Sequence, residues 1–235
     1  MALRERYFKI ANNITNNLKR DSNVIAVLAY GSLATNRLRE GSDIDLLLIV
    51  KDIPKGLDIF NLRHEKIDGI IIDFNYNTEK NLISEIDLEV GCWLTSGMIM
   101  NALSLYDPDK ILERLKKHIL TVTKQKKNEA FKTYIDESQL YISKLKNTPL
   151  SNLERNIFLM REWVGMSRAL FILNDTRPSS EDNLFNEILE LKKKPVNFER
   201  LFKIIYGIDV KEQKLKIMRK AFFELYGNLK KLKFS

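Results

Sequence analysis

The chain has 235 residues, 44% of them hydrophobic, and 39 basic against 31 acidic side chains give a formal net charge of +8. That length suits one large domain or two small ones, with apolar residues enough for a sizeable core. With no apolar run near the roughly eighteen residues of a membrane span, no apolar signal region in the opening MALRERYFKIANN and one cysteine, Cys92, the composition excludes an integral membrane protein and a disulfide scaffold, and the expected compartment is the cytosol.

Two histidines, His64 and His118, argue against a Ser-His-Asp centre and against a histidine-based metal site. The positive charge suits phosphate-rich partners. Zinc-finger spacing and RNP-type aromatics are absent, so solvated lysine-rich helix faces account for the charge better than nucleic-acid binding does.

Residues 4–20 predict a helix, because Tyr7, Ile10, Ala11, Ile14 and Leu18 recur at steps of three and four. Val24 to Tyr30 (VIAVLAY) is short, apolar and rich in β-branched residues, the pattern of a buried strand. Gly31-Ser32 ends it. Gly31 has no side chain to keep a phosphate from the backbone. Ser32 offers a hydroxyl, and the amides after it open a short helix whose N-terminus suits negative charge.

A second strand runs from Asp43 to Val50 (DIDLLLIV). Side chains alternate along a strand, so Asp43 and Asp45 share one face while Ile44 and Leu46 pack on the other. Two carboxylates on one face repel unless a cation lies between them, and hard oxygen ligands favour Mg²⁺ or Mn²⁺. Residues 51–68 read as a hairpin-like segment turning at Pro54 and Gly56. The third strand, Gly69 to Tyr76 (GIIIDFNY), places Asp73 among apolar neighbours. A bare carboxylate is costly there, and a metal-ligand role offsets that cost. Two metals about 3.5–4 Å apart clamp the attacking and leaving oxygens of an in-line displacement.

Further along, a helix is expected over Glu79 to Glu89, with Leu82, Ile86 and Val90 inward. Met98 to Leu105 reads as helix turning extended over Leu103 to Tyr106. Asp107-Pro108 opens another helix, to about Lys117, with His118 on its surface. After Thr123 no convincing strand appears. Helices are expected over 126–146, 151–174, 180–194, 197–206 and 209–232, with a loop at NDTRPSS, 174–180. Trp163, Met166 and Phe171 read as core rather than as a pocket lining. In the last helix Leu215, Met218, Phe222, Leu225, Leu229 and Leu232 form an apolar stripe, and packing on its own bundle accounts for it better than a membrane surface or a dimer contact.

A Gly-Ser turn, an Asp-x-Asp pair or a lone strand aspartate means little singly. Their conjunction on three apolar strands, in this order, carries the functional reading. The stretches YGSLATNRLREGSDIDLLLIV, IIDFNYNTEKNLI and CWLTSGMIMNALSLYDPDKILERL resemble the DNA-polymerase-β-type nucleotidyltransferase superfamily, and within it the aminoglycoside (kanamycin-type) nucleotidyltransferases, over roughly the first half of the chain.

The resemblance implies an α+β fold: an N-terminal catalytic domain, residues 1–124, with a mixed β-sheet and flanking helices, then an all-α helical-bundle domain, residues 125–235, that binds the acceptor. It implies that Asp43, Asp45 and Asp73 ligate Mg²⁺ or Mn²⁺ and that Gly31 and Ser32 touch the triphosphate of ATP or another NTP, with Ser42 nearby. A nucleoside monophosphate then passes to an acceptor hydroxyl, and pyrophosphate leaves. Many relatives carry an arginine where this chain has Thr35, and Arg37 or Arg39 stands in on the phosphates. Antibiotic-modifying members use a helical-domain glutamate as general base. Its place falls near Leu140, so Glu137, one turn earlier, is the candidate.

The expected acceptor is a small aminoglycoside-like molecule lying between the halves. The alternatives are a protein acceptor, as in antitoxins that modify a partner toxin, or a nucleotide-binding module without catalysis. The resemblance also implies a homodimer; a nucleic-acid acceptor is open but not favoured, and no membrane partner is expected.

Overall fold

The structure is a computed structural model, and it describes residues 2–35, 37–57, 62–147, 149, 151–180, 184–200 and 224. The chain divides into two compact units. One comprises Met1–Val122 with Arg177–Asp182, the other Thr123–Thr176 with Asn183–Ser235.

The first unit is a helix–sheet–helix sandwich. In chain order it contains α1 (Leu3–Leu18), β1 (Val24–Tyr30), α2 (Gly31–Ala34), β2 (Ile44–Val50), β3 (Leu62–Ile67), β4 (Ile70–Asn77), α3 (Glu79–Leu88), α4 (Leu94–Asn101), β5 (Leu103–Tyr106) and α5 (Ile111–Thr121). The five strands lie in the order β3-β4-β2-β1-β5. β2 runs parallel to β4, and the other neighbouring pairs are antiparallel. The sheet is therefore mixed, and the α+β expectation holds.

The alternation of strand side chains builds two cores. Val27 and Ala29 of β1, Leu46 and Leu48 of β2, and Ile72 and Phe74 of β4 pack against Tyr7, Ile10, Ala11 and Ile14 of α1. On the other face Ala26, Leu28, Leu47 and Ile49 pack against Leu82 and Ile86 of α3, Ile99 of α4 and Leu112, Leu115 and Ile119 of α5. Both faces are covered, which is why β2 reads as a continuous apolar run rather than an alternating one. Each fully buried large aliphatic side chain contributes roughly 1.5–3 kcal/mol of transfer free energy.

Three local readings are corrected. The hairpin is formed by β3 and β4, and its turn is Asp68-Gly69, not Pro54 and Gly56. Both turn residues have positive φ, 50° and 81°, which matches the Asp-Gly preference of two-residue hairpin loops. Helix α5 starts at Ile111 rather than at Asp107-Pro108. The Asp107 carboxylate accepts from the Ile111 and Leu112 amides at 2.8 and 2.9 Å, and Lys110, at φ 54°, stands outside the helical region. Helix α4 begins four residues before the expected Met98, because the Glu89 carboxylate accepts from the Thr95 and Ser96 amides at 2.9 and 2.8 Å and satisfies its first turn.

The second unit contains α6 (Lys124–Asn147), α7 (Asn152–Leu173) and α8 (Leu184–Glu190). Ser151 caps α7, and the Glu154 carboxylate reaches back to the Ser151 amide at 2.7 Å. Helices α6 and α7 pack against each other. Ile135, Ile142, Trp163, Met166, Leu170 and Phe171 are buried there, so the aromatics belong to the core. The helix expected over 209–232, with its apolar stripe, lies outside the described residues, as does all of the 197–206 segment beyond Arg200. No helix among the described residues is long and apolar enough to cross a membrane.

Candidate active site

The sheet brings the three aspartates together. In the parallel pair β2/β4, Asp45 and Asp73 are direct partners, on adjacent strands about 4.8 Å apart. Asp43 precedes Asp45 by two residues and so faces the same side. One carboxylate oxygen from each of Asp43, Asp45 and Asp73 lies within 4.8 Å of the other two. Opposite Asp45, on β1, stands Tyr30, the residue just before the Gly-Ser turn.

Gly31 is glycine for two reasons. Its φ of +64° is left-handed, and a Cβ there would lie 1.9 Å from the Asp45 carboxylate oxygen Oδ2. The turn and the carboxylate thus touch. The Ser32 hydroxyl is buried and has no hydrogen-bond partner among the described residues. A buried, unsatisfied hydroxyl is costly, and this one belongs to the residue after Gly31, the glycine that touches Asp45. The Thr35 hydroxyl donates to the Gly31 carbonyl at 2.8 Å.

The loop that follows is held at several points. The Arg37 amide donates to the Ser32 carbonyl at 3.2 Å, and its guanidinium donates to the Ser179 hydroxyl at 2.9 Å. The Ser42 hydroxyl accepts from the Arg39 amide at 3.0 Å, and the Ser42 carbonyl accepts from the Tyr7 hydroxyl of α1 at 2.9 Å. Ser42 therefore shapes the turn that delivers Asp43.

Electrostatics mark the same place. Burial holds the Tyr30 hydroxyl well above its ordinary pKa, and the negative charge of Asp45, Asp73 and Asp43 adds to the shift, against a hydrogen bond with Asn75. Tyr30 therefore stays neutral beside the acids.

One residue at the site was missed from the sequence. His64 on β3 is paired in register with Asp73, and its Nδ1 lies 2.6 Å from the Asp73 Oδ1. The signal was present, since an Asp-Gly turn at 68–69 pairs Ile67 with Ile70 and, three steps back, His64 with Asp73. Glu137 lies exposed on α6, in the other unit. Among the described residues of that unit, the buried carboxyl is Glu162, 1% exposed, which sequence reasoning also missed. Burial raises its pKa to about 8, a hydrogen bond with Ser138 opposes the shift, and Glu137 adds to it.

The residues fit a divalent cation with a bound polyphosphate. Three carboxylates converge, a glycine leaves room against one of them, and the next residue carries a buried hydroxyl without a partner among the described residues. All the ligand atoms are oxygens, the donor set of Mg²⁺ and Mn²⁺.

Residues 12–91 match the family described as polymerase beta, nucleotidyltransferase. That span contains the turn and all three aspartates. A protein of Methanocaldococcus jannaschii named as a protein adenylyltransferase is 30% identical over 125 residues, covering 46% of this chain and 82% of its own length. A solved structure described as a nucleotidyltransferase-like protein from Exiguobacterium sibiricum superposes with a TM-score of 0.45 at 12% identity, covering 92% of this chain and 73% of its own. The chain belongs to the polymerase-β-type nucleotidyltransferase family and is a nucleotidyltransferase.

Proposed function

We propose that this protein moves a nucleoside monophosphate from an NTP, with ATP as the first candidate, to an acceptor hydroxyl in a divalent-metal-dependent reaction that releases pyrophosphate. The observation that carries this reading is the meeting of Asp43, Asp45 and Asp73 within 4.8 Å, against a glycine that admits no side chain. Asp43 and Asp45 would hold the metal that orients the triphosphate, with Asp73 joining them on the acceptor side. Bound Mg²⁺ would supply charge neutralisation on the phosphates and a lower pKa for the attacking hydroxyl. Gly31 and the Ser32 hydroxyl would cradle the phosphates, Ser42 would fix the turn before Asp43, and Arg37 would lie within reach of the same loop.

Two acceptor classes have separate support. The Methanocaldococcus relative, named as a protein adenylyltransferase, favours a protein side-chain hydroxyl. A small, aminoglycoside-like acceptor is favoured by the helical unit, because the match to that relative takes in less than half of this chain and leaves room for an acceptor site of the protein's own. On the second reading a carboxylate of that unit, Glu137, would take the proton.

The test is an incubation of the full chain and Mg²⁺ with each labelled NTP, against lysate proteins in one arm and an aminoglycoside panel in the other, read by mass spectrometry. Label on a protein band supports the first class, and a mass gain of one nucleotide on a small molecule the second. Asp43→Asn is expected to abolish either product while leaving thermal unfolding near wild type. Undiminished transfer by Asp43→Asn would remove the site from the chemistry.

A further inference from the structure

Asp73 is flanked on both sides across the sheet. Asp45 is its partner on β2, and His64 is its partner on β3. The imidazole Nδ1 lies 2.6 Å from Asp73 Oδ1, a short contact of the charge-assisted kind. An ionised carboxylate only accepts, so Nδ1 carries the hydrogen and donates. The His64 side chain is 57% exposed, against 21% for Asp73. A pair this open contributes little to folding stability, which leaves its geometric effect.

That effect is specific. The terminal torsion of an aspartate is broad and roughly two-fold, so an unsupported Asp73 carboxylate turns freely between orientations. A hydrogen bond to one oxygen fixes the plane of the group, and the remaining lone pairs then keep a constant relation to Asp43 and Asp45. Metal-ligating carboxylates are commonly held by such an outer partner, and its loss typically costs about 10- to 100-fold in metal affinity or activity.

We propose that His64 is a positioning residue: through its Nδ1–H bond to Asp73 it sets the orientation of that carboxylate and so tunes divalent-metal affinity at the Asp43–Asp45–Asp73 site. This rests on the nucleotidyl-transfer reading above. Substrate need not touch the ring.

The test uses the full chain. Mn²⁺ is titrated without nucleotide and followed by the electron paramagnetic resonance signal of the free ion. In parallel, the Mg²⁺ concentration giving half-maximal pyrophosphate release is measured. His64→Ala is expected to weaken Mn²⁺ binding by about tenfold or more and to raise the Mg²⁺ requirement by a similar factor. His64→Asn places an amide nitrogen where Nδ1 stands and is expected to restore most of the loss. Lys66→Ala, on the same face of β3 and exposed, is expected to match wild type and so reports any damage to the strand. Wild-type Mn²⁺ affinity in His64→Ala, or no recovery in His64→Asn, overturns the proposal. If the wild-type chain neither binds Mn²⁺ nor releases pyrophosphate, the nucleotidyl-transfer reading itself fails and the role of His64 falls with it. If the wild type does either and His64→Ala equals it, only the role of His64 falls.

Discussion

Replacing Gly31 by alanine separates two costs that the structure combines at one position. The first is local to the backbone. At φ +64° a side-chain-bearing residue sits in the left-handed region, at roughly 1–2 kcal/mol. The second is steric and falls on Asp45, whose Oδ2 and Cγ lie 1.9 and 2.8 Å from where the new Cβ would be. Ordinary contact is about 3.5 Å, so the carboxylate has to retreat by more than about 1 Å. In the metal-ligating role proposed for Asp45, a displacement of that size costs on the order of 100-fold in rate. Gly41 provides the control. Its φ is +85°, yet no atom of the described residues lies within 4 Å of a Cβ built there, so Gly41→Ala bears the backbone cost alone. Urea unfolding and the kcat/KM of pyrophosphate release are measured on both variants. Both are expected to lose about 1–2 kcal/mol of stability, and only Gly31→Ala is expected to lose about 100-fold or more in kcat/KM. Wild-type kcat/KM in Gly31→Ala, or equal inactivation of Gly41→Ala, would refute the reasoning.

Glu162 makes the stability of the protein depend on pH. Its folded pKa of about 8 lies above the ordinary 4.5, so its carboxyl favours the fold below pH 4.5, and that contribution is lost as pH rises from there to about 8, at up to about 1.4 kcal/mol per pH unit. Glu162→Gln is expected to flatten the fall across that window in urea midpoints taken from pH 5 to 9, and an unchanged slope would count against a buried neutral acid. Glu89→Ala leaves the Thr95 and Ser96 amides of α4 without their acceptor and is expected to cost about 1.5–3 kcal/mol, read as a lower urea midpoint. Leu47→Ala, at a fully buried position on the same face of β2 as Asp45, is expected to cost about 2–5 kcal/mol, with a smaller loss refuting tight packing there.

The first unit was legible because its signals are local. VIAVLAY became β1 with the expected ends, and the alternation of DIDLLLIV put two acids on one side and Ile44 and Leu46 on the other. The parallel register of β2 with β4 was not legible, since nothing in either strand states its partner. It is that register which sets Asp45 level with Asp73. The β3–β4 hairpin was overlooked although Asp68-Gly69 encodes it, because Pro54 and Gly56 form an earlier and more conspicuous break, and His64 was lost with it. The false start of α5 has a similar origin. Asp107 does cap the helix, but from four residues upstream of Ile111, so the capping residue was found and the spacing was not. Glu162 was invisible for another reason. A glutamate in an amphipathic helix is expected to face water, and its burial depends on the packing of α6 on α7.

The direction of the strands explains why the acids and the turn share one end of the sheet. β1 runs antiparallel to β2, so the end of β1 meets the beginning of β2. The Gly-Ser turn follows the last residue of β1, and Asp43 and Asp45 flank Ile44, the first residue of β2. Antiparallel pairing therefore forces them together, with Tyr30 opposite Asp45 as the visible consequence. Had the two strands run parallel, the seven residues of β1, at about 3.3 Å each, would have carried the turn roughly 20 Å from the acids. β4 adds the third acid under the opposite rule. It runs parallel to β2, so an aspartate at the same height on each strand falls side by side. A ten-residue spacer between Ser32 and Asp43 is enough for the first contact because the chain has only to reverse. The third acid arrives 28 residues after Asp45 because the chain has first to return along β3 before β4 can run parallel to β2.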